Sequence, residues 1–387
     1  MAAIGKAAFW AGMICELLVS VSGYAFGGYH EPVIIVLGMA FFSISILSEP
    51  EWKKNWKLYL IGAVVGLGYY YLQSSALILR IILILLAGKK QKPEQVVKFF
   101  FWGTLGIMLV AAVLSGLGLH NTISLTQNFR HEEETRYCFG FYHPNGFSFF
   151  VFRTMLLGLY SYGNRLPVWG LLAVFAAGEF MLFLSGSKMG LAAGICVTAG
   201  FFLIRTLKTS KSRKWFYGIG TGLMVLEILF LLVSMIWFQP SGNNDLAGKG
   251  IWQIFNEITT GRLYFIHATF EKYPIPLWGY RGFMEATEVG FVNALYNQGC
   301  IFAIVYLIAL FYAFTKKYRQ KDLPALVLIL GFTFYAMAEA FLPYFNKNGV
   351  LMMLLGLEAD QAVVPGTEAE GTETAESGSE KIEETGK

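Results

Sequence analysis

Apolar and polar positions along this chain come in long blocks, not in the short periods of a soluble helix or strand. Twelve apolar blocks are legible, at 4–21, 31–48, 57–72, 74–88, 98–119, 141–160, 166–184, 187–205, 215–238, 289–314, 324–341 and 345–358. Most approach the roughly 20 residues that a helix needs to cross a bilayer. The pattern predicts an all-α, polytopic membrane protein with about twelve spans. The first block lacks a basic flank and a small-residue cleavage site, so it reads as a retained anchor.

One polar segment has its own periodicity. In "IWQIFNEI" the apolar residues Ile251, Ile254, Phe255 and Ile258 fall at i, i+3, i+4 and i+7. This predicts an amphipathic helix lying along a surface. Beyond Glu358 the pattern stops. Eight acids and two lysines follow without an aromatic residue, which predicts a disordered tail over 359–387.

Composition sharpens this picture. Hydrophobic residues make up 55% of the chain and charged residues 14%, with a mean hydropathy of +0.52. A soluble domain carries about 25% charged residues, so a water-soluble enzyme is excluded. The net charge of +4 combines an acidic tail with a basic remainder. That basicity is a topology signal and implies no nucleic-acid partner. The basic clusters are Lys53/Lys54/Lys57, Lys89/Lys90/Lys92/Lys98, Arg205/Lys208/Lys211/Arg213/Lys214 and Lys316/Lys317/Arg319/Lys321. With twelve spans and a cytoplasmic N-terminus, all four fall on the cytoplasmic side. Both termini are then cytoplasmic, and two long segments lie outside, His120–Gly140 and 239–288. Cys15, Cys138, Cys196 and Cys300 read as free thiols, with a Cys138–Cys300 disulfide as the alternative. No pair has metal-ligand spacing. No internal repeat is visible, which weighs against a transporter.

Three outward-facing helix starts carry cationic or polar groups, where exposed N–H groups and the macrodipole favour anions. The first is "RYCFGFYHPNGFSFF", with Arg136 and His143 ahead of Pro144. The second is "LSGSKMG", where Ser185 or Ser187 caps a helix and Lys188 falls in its first turn. The third is "TTGRLYFIH", where Thr260 caps and Arg262 falls in the first turn. A cation at that end is unfavourable unless an anion binds or the side chain reaches lipid headgroups. His267 and Glu271 share a helix face, as an ion pair or as a reactive pair. Glu16, Arg80, Arg153, Glu179, Glu227 and Glu339 lie inside apolar blocks, where charge is costly. Arg80 and Arg153 either pair with Glu16, Glu179 or Glu227 or face a functional interior. Glu339 stands at the outer end of its block.

These motifs, in this order, resemble the O-antigen polymerase and O-antigen ligase superfamily of membrane glycosyltransferases. The resemblance is closest to the capsular or exopolysaccharide repeat-unit polymerases of Firmicutes, and spans roughly residues 30–356. It rests on Arg136, Gly140–Phe141, His143–Pro144–Asn145, Ser187–Lys188, Thr260–Gly261–Arg262, Pro276–Leu277–Trp278–Gly279, Glu339 and Asn346. Lys188 stands where the family has arginine, and Glu288 where it has an Asp-Asn pair.

The resemblance implies a GT-C-like helical bundle in a bacterial plasma membrane. It implies a metal-independent, inverting transfer without a cofactor, between undecaprenyl-pyrophosphate-linked glycans as donor and acceptor. A flippase and a chain-length regulator are the implied protein partners. Arg136, Lys188 and Arg262 would hold the donor pyrophosphate, and His143, His267, Glu288 and Glu339 are the candidate bases. Tyr137, Tyr142, Trp252 and Trp278 either stack on sugars or belong to the interfacial aromatic belt. A ligase acting on finished glycans and a transporter of lipid-linked sugars are the alternatives.

Overall fold

The computed structural model describes residues 1–27, 31–129, 132–238, 250–259, 261–282 and 288–356. The expected cap Thr260, parts of both long polar segments and the acidic tail lie outside these residues. The chain is a mostly helical membrane protein. Among the described residues five helices are long and apolar enough to cross a membrane: α1 (Ala2–Ala25), α5 (Pro93–Gly116), α8 (Lys188–Thr206), α9 (Ser210–Trp237) and α13 (Cys300–Arg319). Shorter apolar helices fill the spaces between them, namely α2 (Glu31–Leu47), α4 (Leu77–Ala87), α7 (Val168–Leu184) and α14 (Leu323–Tyr335). The split expected at Gln73–Ser75 is present. Helix α3 (Trp56–Gln73) ends there with Ser74 in the left-handed region, before α4 begins.

Helix α6 (Pro144–Tyr162) is buried along almost its whole length. It packs against α5, α7, α8 and α14. Inside this core lies a polar network that the apolar blocks would not suggest. Arg80 forms a bidentate pair with Glu16, both bonds at 2.6 Å. Asn346 donates to the Glu16 carboxylate at 3.0 Å. Arg153 is fully buried and donates to Thr104 Oγ1 and to the Asn346 carbonyl, each at 2.6 Å. Arg80 therefore takes one of its expected acidic partners. Arg153 takes a hydroxyl and a carbonyl instead, with its guanidinium over the Phe100 ring at 5.2 Å. Lone charges in a low-dielectric interior are costly, so such contacts fix how α1, α4, α5 and α6 sit together.

The last three apolar blocks depart from simple helices. The block 289–314 is broken at Gly299 into α12 (Gly290–Gln298) and α13. Gly299 has φ +92°, and a Cβ there would lie 2.5 Å from the backbone of the 277–279 loop. The break lets Cys300 N–H donate to the Pro276 carbonyl at 2.9 Å. The block 324–341 ends as helix at Tyr335. Beyond it Ala336, Met337 and Ala338 close as turns on Phe332, Phe334 and Tyr335. The block 345–358 holds only the short α15 (Gly349–Met353). Chain 336–348 is therefore a run of turns closed by local bonds, such as Tyr344 N–H to the Phe341 carbonyl at 3.0 Å, and the Ala336 and Ala338 carbonyls take partners from other elements.

Contacts sort the connections into two ends of the bundle. At one end Glu49 pairs with Lys89 and Lys90, Arg205 donates to the Gly163 and Leu166 carbonyls, and Lys317 pairs with Asp322. At the other end lies an antiparallel hairpin, β1 (Ser124–Phe129) with β2 (Glu132–Tyr137), in the segment read as a polar loop. Beside it are α10 (Ile251–Ile258), the amphipathic helix expected there, and α11 (Arg262–Lys272). All four cysteines are free.

Candidate functional site

The site is assembled at the hairpin end, and its centre is Arg262. The guanidinium donates through Nε to the Ala338 carbonyl at 3.1 Å and through Nη1 to the Thr259 carbonyl at 3.1 Å. Its Nη2 lies 2.9 Å from Glu288 and 4.0 Å from Glu339. Local structure explains the arrangement. Helix α14 ends at Tyr335, so carbonyls just beyond it are open to partners outside the helix. Gly290 N–H takes the Ala336 carbonyl at 2.7 Å, and Arg262 takes the next available one. The helix break thus draws the first residue of α11 onto the segment that carries Glu339.

Arg136 reaches the same end by another route. It lies on β2 and is bound twice by Glu134, at 2.9 and 2.7 Å. Its side chain lies over the turn into α8, so a Cβ at Gly186 would stand 2.9 Å from its Nε. Gly186 has φ +70°, a conformation that glycine adopts without strain. The next residue, Ser187, caps α8 by accepting from Gly190 N–H at 3.1 Å. Lys188 follows as the first helical residue and is exposed. The hairpin and the α7–α8 turn thereby bring Arg136 beside the start of α8.

His143 is the cap of α6. Its Nδ1 accepts from Asn145 N–H at 3.1 Å, and Pro144 occupies the first helical position. Because a main-chain N–H only donates, Nδ1 is unprotonated and the neutral ring carries its proton on Nε2. Burial lowers the His143 pKa from its ordinary value of 6.5. Glu288 pulls it up and Arg136 pushes it down, and the net shift is downward. Neutral His143 is therefore a donor at its free edge and is poorly suited to take a proton there. His267 is turned elsewhere. Its Nδ1 is 2.9 Å from the Met235 carbonyl, its Nε2 is 3.4 Å from Glu271, and its ring packs near Phe238.

The two carboxylates differ in a way that matters for chemistry. Glu288 is 54% exposed and held directly by Arg262, whereas Glu339 is 23% exposed and more distant from it. A directly paired, hydrated carboxylate is a weak base, and a desolvated one with looser pairing is a stronger one.

Sequence reasoning missed Tyr24 and Lys347. Lys347 Nζ lies 3.2 Å from Tyr24 Oη and over the Tyr24 and Tyr344 rings. It also interacts electrostatically with Glu339. The polar triplet Asn346–Lys347–Asn348 within an apolar block was the available signal. Tyr142 and Trp278 are exposed at this end of the bundle.

An apolar groove of roughly 910 Å³ runs between α8, α9 and α14, lined by residues including Val197, Leu203, Leu226, Leu330 and Met337. Glu227 also lines it, and the lining residue Met337 is next in the chain to Ala338, whose carbonyl accepts from Arg262. Among the described residues no group of three or more His, Cys, Asp or Glu is placed to hold a metal ion. No protein family, curated protein or solved structure matches the chain.

Proposed function

We propose that the chain is a membrane glycosyltransferase that polymerises undecaprenyl-pyrophosphate-linked repeat units into capsular or exopolysaccharide. The carrying observation is the convergence at one end of the bundle. Arg262 stands between two carboxylates there, His143 feels both Glu288 and Arg136, and Met337, next in the chain to the Ala338 that holds Arg262, lines an apolar groove. A lipid pyrophosphate has a tail for such a groove and phosphate oxygens for arginine, which binds them in bidentate fashion. In this reading twelve crossings put both termini in the cytoplasm. The basic end then faces the cytoplasm, as the positive-inside rule requires, and the hairpin end faces outward.

The chemistry follows from the residues. An acceptor sugar hydroxyl attacks the anomeric carbon of the donor, forming a new C–O bond. The bond from that carbon to the pyrophosphate breaks, and the lipid pyrophosphate departs with the electron pair. Arg262, Arg136 and Lys188 stabilise its charge. Glu339 takes the hydroxyl proton, and His143 donates a hydrogen bond from Nε2. In the test, purified protein in liposomes receives lipid-linked repeat units. A ladder of longer chains is expected. Transbilayer movement without longer chains would overturn the reading, and a single transfer of finished glycan to another acceptor would make the chain a ligase.

A further inference from the structure

A second cavity lies at the hairpin end, and its lining differs in kind from the cationic cluster. It has a volume of roughly 680 Å³, between the α3–α4 turn, α12 and the chain after α14. Hydroxyl and carboxamide groups line it: Ser74 and Ser75 from the turn, and Asn293, Asn297 and Gln298 from α12. Tyr280 and Tyr344 add aromatic surface. The lining residue with a formal charge is Arg80, and its guanidinium is held by Glu16 on two bonds. The remaining polar groups are neutral donors and acceptors. That is the complement of a polyol, whose hydroxyls each donate and accept, and it offers little to a phosphate.

A further observation points to a ligand. Gln298 is 7% exposed, and its Oε1 is buried without a hydrogen-bond partner. Such a group is destabilising when left unmet. The terminal torsion of a glutamine is broad, so the amide can turn to a hydroxyl entering the cavity. Around it the frame is fixed. Gln73 Nε2 donates to the main-chain carbonyls of Trp278 and Gln298, and Tyr280 N–H donates to the Tyr296 carbonyl at 2.8 Å.

Position ties this cavity to the reaction. Ala340 lines it and follows Glu339 directly. Helix α12, which supplies three carboxamides, begins two residues after Glu288 and is anchored by Gly290 to Ala336. We infer that this cavity binds the neutral, non-reducing saccharide end of the acceptor and presents its hydroxyl to Glu339, an assignment that rests on the function proposed above.

The test uses the full-length protein in liposomes and two probes. One is the producing cell's own lipid-linked repeat unit, and the other is undecaprenyl pyrophosphate without sugar. Asn297→Leu removes one polar partner. Gln298→Met removes the unmet carbonyl with little change of shape, so this variant is expected to melt at or above the wild-type temperature. In both variants the KM for the repeat unit should rise about tenfold, the worth of one hydrogen bond, while binding of undecaprenyl pyrophosphate is unchanged. If wild-type protein makes a ladder and both variants keep its KM, the inference fails and the proposed function stands. Equal loss of both probes would also overturn the inference, because the cavity would then be structural. Absence of a ladder from wild-type protein would overturn the proposed function itself.

Discussion

Two clusters of charge in this molecule use the same residue types to opposite effect. In the core, Arg80 and Arg153 are almost fully buried, and their hydrogen-bond partners come from α1, α5 and the 336–348 chain. At the hairpin end, Arg262 is shared between Glu288, Glu339 and two carbonyls, and Lys188 is exposed. The first cluster is tightly closed, and a ligand would have to break it. The second holds Arg262 between the exposed Glu288 and the half-buried Glu339, which on the proposed function an incoming anion displaces or joins. Arginine in a membrane bundle is thus a fastener when its partners surround it and a receptor when they are loosely held.

The sharpest way to break this comparison is Glu339→Gln. Loss of the base should lower the polymerisation rate by about 10²–10⁴-fold, the usual worth of general base catalysis. Thermal stability in detergent should change little. Glu288→Gln should cost much less, and an equal loss would shift the base to Glu288. Next in size is Glu16→Ala, which leaves Arg80 buried without its carboxylate. Removing one partner of a buried pair costs about 3–5 kcal/mol, read as a lower unfolding temperature. A second change, Arg80→Met, should restore much of it. If Glu16→Ala melts like wild type but stops polymerisation, the core cluster is functional and the contrast collapses.

Smaller effects sharpen the contrast at its edge. Lys188→Ala should raise the KM for lipid-linked substrate by up to about tenfold, since an exposed charge contributes modestly. Lys188→Arg should match or improve on wild type by restoring a bidentate fork. The smallest effect belongs to the His143 cap. His143→Ala should cost about 0.5–1 kcal/mol of stability and His143→Asn less, because asparagine also caps. The His143 pKa is lowered on folding, so its stabilising contribution is complete above pH 6.5. It is lost as pH falls through the folded value, where protonation takes the Nδ1 acceptor from Asn145. Melting temperature should therefore drop on acidification in wild type by more than in His143→Asn.

Much of the architecture was legible because apolar block length is a direct physical constraint. The first nine blocks became helices near the expected positions, and even the tight Gln73–Ser75 turn appeared. The Arg80–Glu16 pair was legible too, since a lone charge in an apolar block needs an opposite one. Two kinds of feature were hidden. Backbone breaks at Gly299 and before Pro343 depend on which distant carbonyls and N–H groups find partners, which block length does not encode. The capping role of His143 and the partners of Arg153 are likewise tertiary. Arg136, His143, Lys188 and Arg262 stood out by their placement near helix starts, but their partners, and the turning of His267 towards Met235, are tertiary.

The non-helical stretch 336–348 has a consequence for how the protein is made. Its local bonds are separate turns and not a continuous helical ladder, so it cannot enter lipid alone as a helix can. Its polar groups close on chain synthesised long before: Asn346 on Glu16, Arg153 on the Asn346 carbonyl, and Asn348 on Tyr306. Assembly must therefore hold a gap among the earlier helices until this stretch arrives. Its arrival joins the first helix to the last and completes the segment bearing Glu339, so a chain stopped short of Asn346 would have neither a closed core nor a finished site.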